Sequence, residues 1–203
     1  MDSRLERFTV PERVTHWLVA ICYAYAGLSG LALWSRAMWW LAPVMGGGEN
    51  LRAWHPIAGL IFALLLAMQF RRWAAQMKLD ADDRKWLAMS GRYAMHDEHG
   101  VPESGRFNAG QKMLFWLQST SAIVLFATGA VLWFPEVMPR SLRLISILVH
   151  PVAAVASMGG IIVHIYMTTV VVQGALHAMT RGYVTEGWAK SHHAKWFRQV
   201  TRQ

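Results

Sequence analysis

The sequence has little charge, and that charge is unevenly distributed. Only 16% of the 203 residues are Asp, Glu, Lys or Arg, and 54% are hydrophobic, whereas soluble domains carry about 25% charged residues. Four stretches contain no charged residue: 14–35, 53–70, 113–135 and 144–180. Because about 20 apolar residues cross the ~30 Å hydrocarbon layer of a bilayer, this pattern excludes a soluble enzyme and predicts four membrane spans.

Cysteine is nearly absent. Cys22 is the only cysteine and lies inside the first apolar stretch, which excludes an intramolecular disulfide. No C-x-x-C-H motif occurs, so covalent haem attachment is excluded as well. The N-terminus does not have the pattern of a cleaved signal peptide, because Asp2 and Glu6 interrupt it and the first apolar run is long enough to span.

The basic residues indicate the orientation of these spans. The formal net charge is +8, but 16 of the 20 Lys and Arg residues fall in the segments 1–13, 71–112 and 174–203. Such an excess of basic residues marks cytoplasmic segments, so both termini are expected in the cytoplasm. The charge therefore reflects membrane topology, and nucleic acid is not an expected partner.

The spans define the predicted organisation, an all-α bundle of four transmembrane helices forming a single membrane domain over residues 1–203. The predicted spans are about 14–34, 53–70, 113–134 and 147–173, with an inner loop at 71–112 and a basic inner tail at 174–203. Within that loop, Asp80 is expected to cap a short interfacial helix, followed by acidic and then basic residues. Residues 91–110 are expected to form an irregular loop.

Four of the nine histidines lie in uncharged spans, where polar groups are costly and indicate function. His150 and His164 are 14 residues apart on one predicted helix, about 21 Å along its axis and facing nearly the same way. By depth, His16 matches His164 near the inner surface, and His55 matches His150 near the outer surface. The other five, expected to be solvated or to face lipid headgroups, are His96, His99, His177, His192 and His193.

Two pairs of histidines at matched depths predict two b-type haems, because a haem iron takes one axial imidazole from each face. Several glycines in the spans provide room for flat macrocycles: Gly27, Gly30, Gly59, Gly129, Gly159 and Gly160. Alternatively, the histidines are isolated core residues and the glycines only allow close helix packing. Arg13 and Arg52 each precede a predicted ligand by three residues and either bind a haem propionate or mark a membrane boundary.

Five segments of the sequence resemble the gamma subunit, cytochrome b556, of respiratory formate dehydrogenases, a family of di-haem cytochromes b. They are Arg13-Val-Thr-His16-Trp17, His55-Pro56 with Gly59, Phe107-Asn-Ala-Gly-Gln-Lys-Met-Leu-Phe-Trp116, the helix of His150 and His164, and Trp188-Ala-Lys-Ser-His-His-Ala-Lys-Trp196. The similarity covers nearly the whole chain. No family pattern is evident over residues 94–106, which leaves His96 and His99 without a role.

The resemblance implies cofactors, partners and a direction of electron flow. His55 and His150 would bind an outer haem b, and His16 and His164 an inner one. Electrons would come from a membrane-anchored iron–sulfur beta subunit and a molybdenum or tungsten alpha subunit. They would reach menaquinone or ubiquinone in the bacterial inner membrane, among its lipids. The quinone site would combine Asn108, Gly110 and Gln111 with His164, and the chain would perform no other substrate chemistry.

Other interpretations remain open at this stage. The chain could serve a hydrogenase or thiosulfate reductase instead of a formate dehydrogenase. A transporter using histidine relays or a haem-free anchor belongs to a different class; the absence of an inverted repeat in the sequence disfavours the transporter. At the loop, Asn108 could simply cap the third span, with Gly110 and Gln111 as its first turn and Lys112 as a membrane-surface charge.

Overall fold

The computed structural model describes residues 3–95, 97 and 99–202. Helices dominate this part of the chain. In order, the elements are β1 (Arg4–Glu6), α1 (Val10–Trp34), α2 (Leu41–Val44), α3 (Gly48–Trp73), α4 (Ala81–Ala88), α5 (Ser90–Ala94), α6 (Ala109–Trp133), α7 (Arg140–Tyr166), α8 (Ala175–Thr180), β2 (Tyr183–Thr185), α9 (Glu186–His192) and α10 (Ala194–Thr201). Short 3₁₀ turns occupy Arg36–Met38 and Ala74–Met77, and a π-helical turn occupies Met167–Val171.

Four helical segments within the described residues are long and apolar enough to cross a membrane. They are Val10–Trp34, Gly48–Met77, Ala109–Trp133 and Arg140–Val171. The predicted all-helical chain with four spans is confirmed. The helices begin four to seven residues earlier than the predicted spans, because a helix that satisfies its own backbone hydrogen bonds continues into polar flanking residues.

The long helices expose large apolar side chains over most of their length. Ile123 is 70% exposed, Leu148 69% and Ile21 65%. Exposed apolar surface on this scale does not occur in a soluble monomer, where large patches are rare. These side chains are suited to contact with lipid.

The chain divides into two compact units. The described parts of Met1–Val14, Arg71–Leu117 and Gly160–Gln203 form the first unit, and Thr15–Phe70 and Gln118–Gly159 form the second. The first unit contains α4, α5, α8 to α10 and the antiparallel pair β1–β2, in which Leu5 lies opposite Val184. The second unit contains most of the length of the four long helices.

Helix α4 of the first unit begins at a capping box. Asp80 Oδ1 accepts from the backbone N–H of Asp83, and Asp83 Oδ2 accepts from that of Asp80, both at 2.8 Å. The predicted cap at Asp80 is therefore confirmed. Trp86, Tyr93 and Ala109 form the buried cluster behind it. Tyr93 belongs to α5, a short helix inside the segment that was expected to be irregular.

A buried polar cluster in the first unit connects residues near the N-terminus of the chain with residues near its C-terminus. Arg7, only 3% exposed, donates to the Arg106 carbonyl at 2.7 Å and to His193 Nε2 at 2.9 Å. Its guanidinium also lies over the rings of Trp188 and Trp196. His193 Nδ1 is 2.6 Å from the Gly105 carbonyl. Because arginine can only donate, Nε2 accepts and Nδ1 carries the proton, which makes the imidazole neutral.

This neutral imidazole predicts a loss of stability in acid. Burial, and then the nearby Arg7 charge, hold the pKa of His193 well below its usual value. The unfolded chain, with a His pKa of about 6.5, therefore binds more protons than the folded one below that pH. We expect the stability of the first unit to fall below about pH 6.5 by up to ~1.4 kcal/mol per pH unit.

Thermal unfolding of the purified protein between pH 5 and 8, compared with His193→Gln, measures this effect. Glutamine does not titrate, so the variant is expected to lose the part of the pH dependence that His193 contributes. A variant whose pH dependence equals that of the wild type would contradict the assignment.

The described residues of the second unit include two apolar clusters and a polar bridge. Phe62, Leu66 and Ala122 pack with Val19, Cys22 and Tyr23, and Ala32, Ala42 and Leu51 pack with Leu41 and Met45. In the bridge, Gln118 Nε2 donates to the Ser157 carbonyl, Ser157 Oγ donates to Gln118 Oε1, and the Tyr23 hydroxyl lies 2.8 Å from Ser157 Oγ. The buried polar groups of the bridge are thus paired with one another, as a low-dielectric interior requires.

Candidate functional site

The second unit contains a large apolar cavity. Its volume is about 720 Å³, within the range of small-molecule and cofactor sites, which are usually apolar with a few placed polar groups. Apolar side chains and glycines form most of the lining, and the polar groups that reach it include His55, His150, Arg52, Glu136 and Tyr23. An apolar chamber with two imidazoles is suited to a flat, largely apolar group.

The two imidazoles in this cavity lie close together. His55 is in α3 and His150 is in α7, and the centres of their rings are 6.2 Å apart. Each histidine is followed by a proline, Pro56 or Pro151, inside its helix. The sequence predicts the pairing of these two histidines from their depth, and the structure brings them together.

A hydroxyl group fixes each ring in the same manner. Ser29 Oγ lies 2.9 Å from His55 Nδ1, and Thr128 Oγ1 lies 2.9 Å from His150 Nδ1. Each hydroxyl donates its own proton to a carbonyl of the preceding turn, to Tyr25 at 2.7 Å and to Val124 at 2.6 Å. The hydroxyl can then only accept from the ring. Nδ1 therefore carries the proton, and Nε2 keeps the lone pair that binds a metal.

A glycine follows each hydroxyl residue and makes room for the imidazole. A Cβ on Gly30 would lie 3.1 Å from His55 Cε1, and a Cβ on Gly129 would lie 3.4 Å from His150 Cε1. A larger residue at Gly30 would push the ring out of position. Gly27 and Gly59 also line the cavity. A Cβ on Gly59 or on Gly159 would meet nothing within 4 Å.

The loop before α6 forms a helix cap. Asn108 Oδ1 accepts from the Gln111 N–H at 2.9 Å, and Gln111 Oε1 accepts from the Asn108 N–H at 3.0 Å. This reciprocal pair is a capping box. A Cβ on Gly110 would lie 3.3 Å from the Trp86 ring, and Lys112 pairs with Asp83. The capping role that the sequence left open is present here, and the side-chain NH₂ groups of both amides remain as donors in addition to it.

The other two intramembrane histidines lie in different units. His16 is in the second unit, where its ring lies edge-on to Trp17 with centres 5.4 Å apart. His164 is in the first unit, near the end of α7, and its carbonyl accepts from the Thr168 hydroxyl at 2.9 Å. The π-helical turn Met167–Val171 follows it. The pairing of His16 with His164 stays a prediction from the sequence.

Comparison with known proteins identifies the family. The model of the family described as prokaryotic cytochrome b561 matches residues 7–182. The chain belongs to this family. Its relatives include the formate dehydrogenase cytochrome b556(fdo) subunit of Escherichia coli K12, 36% identical over 97% of this chain and 93% of that protein. The formate dehydrogenase cytochrome b556 subunit of Haemophilus influenzae is 32% identical over 98% and 84%, and the nitrate-inducible cytochrome b556(Fdn) subunit of E. coli K12 is 32% identical over 94% and 89%.

Family membership indicates the cofactor and the general function of the chain. A cytochrome b carries haem b and transfers electrons, and four apolar helices make this cytochrome b561 family member an integral membrane protein. The electron-transfer function and the resemblance to formate dehydrogenase cytochromes, both expected from the sequence, are confirmed at this level.

The two arginines predicted near the ligands have different surroundings. Arg52 lines the cavity that contains His55. Arg13 lies in the first unit, where its Nη1 donates to the Thr180 carbonyl at 2.9 Å. A Cβ on Gly182 would lie 3.1 Å from the Arg13 guanidinium, so that glycine leaves room for it.

Of the histidines expected to be solvated, His193 is different. It is 2% exposed and bonded on both ring nitrogens, so the expectation is wrong for it. A histidine in a polar segment gives no sign of burial when its partners, Arg7 and Gly105, are distant in sequence. His99 and His177 are exposed and His192 is half-buried, whereas His96 lies outside the described residues.

Two further charge pairs, one half-buried and one buried, were not predicted from the sequence. The Glu12 carboxylate accepts from Arg106 at 3.0 Å and from the Trp73 indole at 2.8 Å. Asp83 pairs with Lys112 at 2.6 Å. Each pair joins residues 29 or more positions apart, which local spacing does not reveal. The acid–base order on α4 was the only signal available, and it predicts a helix cap.

Proposed function

We propose that this chain is the di-haem cytochrome b subunit of a formate dehydrogenase, carrying electrons from an iron–sulfur subunit to membrane quinone. The proposal rests chiefly on the paired imidazoles of the second unit. It is supported by the relatives reported above, which are formate dehydrogenase cytochrome b556 subunits. The sequence leaves hydrogenase and thiosulfate reductase complexes as alternative settings.

The outer haem would be held by His55 and His150. Imidazole nitrogens bind first-row transition metals at about 2 Å. With about 1 Å from nitrogen to ring centre, an iron between two imidazoles sets the ring centres about 6 Å apart. The observed 6.2 Å fits this spacing, and both rings are fixed with Nδ1 protonated. When bound, the haem supplies a reversible one-electron Fe(III)/Fe(II) couple.

Other residues of the cavity would orient this haem. Arg52 is the cation of the lining and would pair with a propionate. Gly30 and Gly129 keep the space beside the ligands open. The apolar walls exclude water, which limits the solvent rearrangement that accompanies a change of charge.

The inner haem would be held by His16 and His164, and here the proposal rests on sequence. Both residues lie in membrane spans, where a polar side chain is energetically costly and therefore indicates a function. His164 follows His150 by 14 residues on α7, about 21 Å along the helix axis. Two haems held by ligands with this separation would have edges close enough for direct electron transfer.

The quinone site would lie beside the first turn of α6. Reduction places negative charge on two quinone oxygens, which then need hydrogen-bond donors. The NH₂ groups of Asn108 and Gln111 are such donors, since their oxygens are already used in the cap. We place this site next to His164, with both termini in the cytoplasm and the chain in the bacterial inner membrane. A membrane-anchored iron–sulfur subunit and a molybdenum or tungsten subunit complete the proposed complex.

A haem count tests the proposal directly. The purified chain is expected to contain two haems b per polypeptide by pyridine haemochrome, with a reduced-minus-oxidised spectrum typical of bis-imidazole haem. In membranes that contain the partner subunits, formate should reduce both haems. Protein without a Soret band would restore the histidine-relay or haem-free interpretation, and reduction by hydrogen instead of formate would support the hydrogenase setting.

Substitution of Ser29 or Thr128, whose hydroxyls bond the two imidazoles, perturbs the haem site less than removal of a histidine. Ser29→Ala or Thr128→Val removes the hydroxyl that accepts from an imidazole Nδ1–H, and loss of such a support typically lowers metal-site affinity by about 10–100-fold. Faster haem loss to an excess of a soluble haem acceptor measures this effect. Ser119→Ala is the matched control, because Ser119 Oγ is buried and bonded to no group among the described residues. Equal haem loss in all three variants would contradict the anchoring role.

A further inference from the structure

Lys112 and Asp83 form a buried ion pair that the proposed electron path does not use. Lys112 Nζ lies 2.6 Å from Asp83 Oδ2, and the two side chains are 11% and 10% exposed. A buried ion pair is often no more stabilising than apolar residues of the same volume. The capping box of α4 accounts for the Asp83 carboxylate, but stability alone does not explain why the Lys112 ammonium is buried beside it.

The pair lies against the turn that would form the quinone site. Lys112 directly follows Gln111 in the first turn of α6, and its N–H donates to the Asn108 carbonyl at 3.0 Å. Asp83 lies in the first turn of α4, three residues before Trp86, whose ring packs on Gly110. Lys112 thus shares the first turn of α6 with the capping residues, and Asp83 is bound to that turn through the ion pair.

A small cavity connects this pair with exposed carboxylates. It is lined by Asp80, Asp82, Asp83, Glu103, Lys112 and Lys195, among others, and has a volume of about 30 Å³. That volume holds about two water molecules, and the lining provides the polar partners they need. Asp82, ion-paired with Lys195, and Glu103, ion-paired with Arg198, have half-exposed side chains. The excess of carboxylates at this opening attracts cations, including protons.

We propose that Asp83 and Lys112 relay protons from the aqueous phase to the quinone. This inference rests on the quinone site of the proposed function. Reduction of one quinone takes two electrons, as two ferrous haem irons become ferric, and two protons, which form two O–H bonds. In each transfer the Lys112 ammonium gives one proton towards the quinone oxygen and regains one from cavity water through Asp83. Two protons leave the aqueous phase, and the ion pair ends unchanged.

Stopped-flow oxidation of the reduced haems tests this relay. The purified full chain is reduced with dithionite, freed of excess reductant and mixed with a short-chain ubiquinone or with menadione. Proton transfer by a correctly positioned side chain typically raises a reaction rate by about 10²-fold or more. We therefore expect Asp83→Asn to slow haem oxidation at least about tenfold at pH 8. The deficit should shrink at pH 6, where solvent supplies protons more readily. Asp83→Glu should recover much of the rate.

Two further variants separate the relay from a structural role. In Asp83→Asn/Lys112→Met neither charge is left unpaired, so the fold is kept, and haem oxidation should still be slow. Asp97→Asn removes a carboxylate from an exposed ion pair with Arg92 and should behave as the wild type. The haem spectrum and the binding of a quinone-analogue inhibitor are expected to be unchanged in every variant.

Each outcome decides one point. Wild-type rates and pH profile in the double variant would overturn the relay and leave the quinone site intact. If Asp83→Asn is slow only because inhibitor binding or haem content is lost, the pair is structural and the relay is also overturned. A wild-type protein that binds haem but transfers no electrons to either quinone would overturn the quinone site itself.

Discussion

His55→Ala and His150→Ala are each expected to lower the haem content from two per chain to one. Each substitution removes one of the two imidazoles whose ring centres lie 6.2 Å apart, so a haem held between α3 and α7 would lose one of its two protein ligands. The two variants should be indistinguishable, because both rings have the same hydroxyl support. Formate-dependent quinone reduction in the assembled complex should be lost with this haem.

The measurement is pyridine haemochrome per polypeptide, with His177→Ala as the control. His177 is exposed, so its removal should leave two haems. His16→Ala and His164→Ala should form a second matching pair that loses the other haem. Two haems retained in His55→Ala, or a grouping of His55 with His16, would overturn the assignment.

Gln111→Glu is expected to slow quinone reduction by about 100-fold without affecting the fold. Glutamate still accepts from the Asn108 N–H and is a favoured residue at this position of a capping box. It replaces the NH₂ donor with a carboxylate, however, and this repels the negative charge that develops on the quinone. Loss of one donor to a developing oxyanion costs about 10²–10³ in rate.

The competing explanation gives the opposite result. If Gln111 only caps α6, a carboxylate near a helix N-terminus is neutral or slightly stabilising, and quinone reduction is unchanged. Haem oxidation by quinone after rapid mixing measures the difference. Gln111→Ala is the companion variant, since it removes both the acceptor that Gln111 provides to the capping box and the NH₂ donor. Normal turnover in Gln111→Glu together with a lower thermal midpoint in Gln111→Ala would leave only the cap.

The four spans and the histidine pair of the second unit could be predicted from the sequence because they depend on local properties. Span length follows from apolar runs, and His55 and His150 are conspicuous where polar residues are costly. Ser29 and Thr128 are not conspicuous in the sequence, because hydroxyl side chains in membrane helices commonly form hydrogen bonds with their own backbone. Only the packing of α1 on α3 and of α6 on α7 reveals their second role.

The first unit was harder to predict for a different reason. Its buried groups are paired over long separations, such as Arg7 with His193, 186 positions apart. No periodicity connects such residues, and charged residues outside the spans are ordinarily solvated. The helix cap at Asp80 depends on residues three positions apart, and the cap was predicted correctly, although its reciprocal bond from Asp80 N–H to Asp83 was not.

The hydroxyl supports of His55 and His150 have a consequence for the speed of electron transfer. A ring that can neither turn nor change tautomer keeps its position when the charge on a bound metal changes. Little energy is then needed to rearrange the surroundings at each oxidation or reduction. If a haem is held between these two imidazoles, as proposed, the fixed rings would also leave no position open on the iron for dioxygen. Such a centre would pass electrons on quickly and lose few of them to oxygen as superoxide.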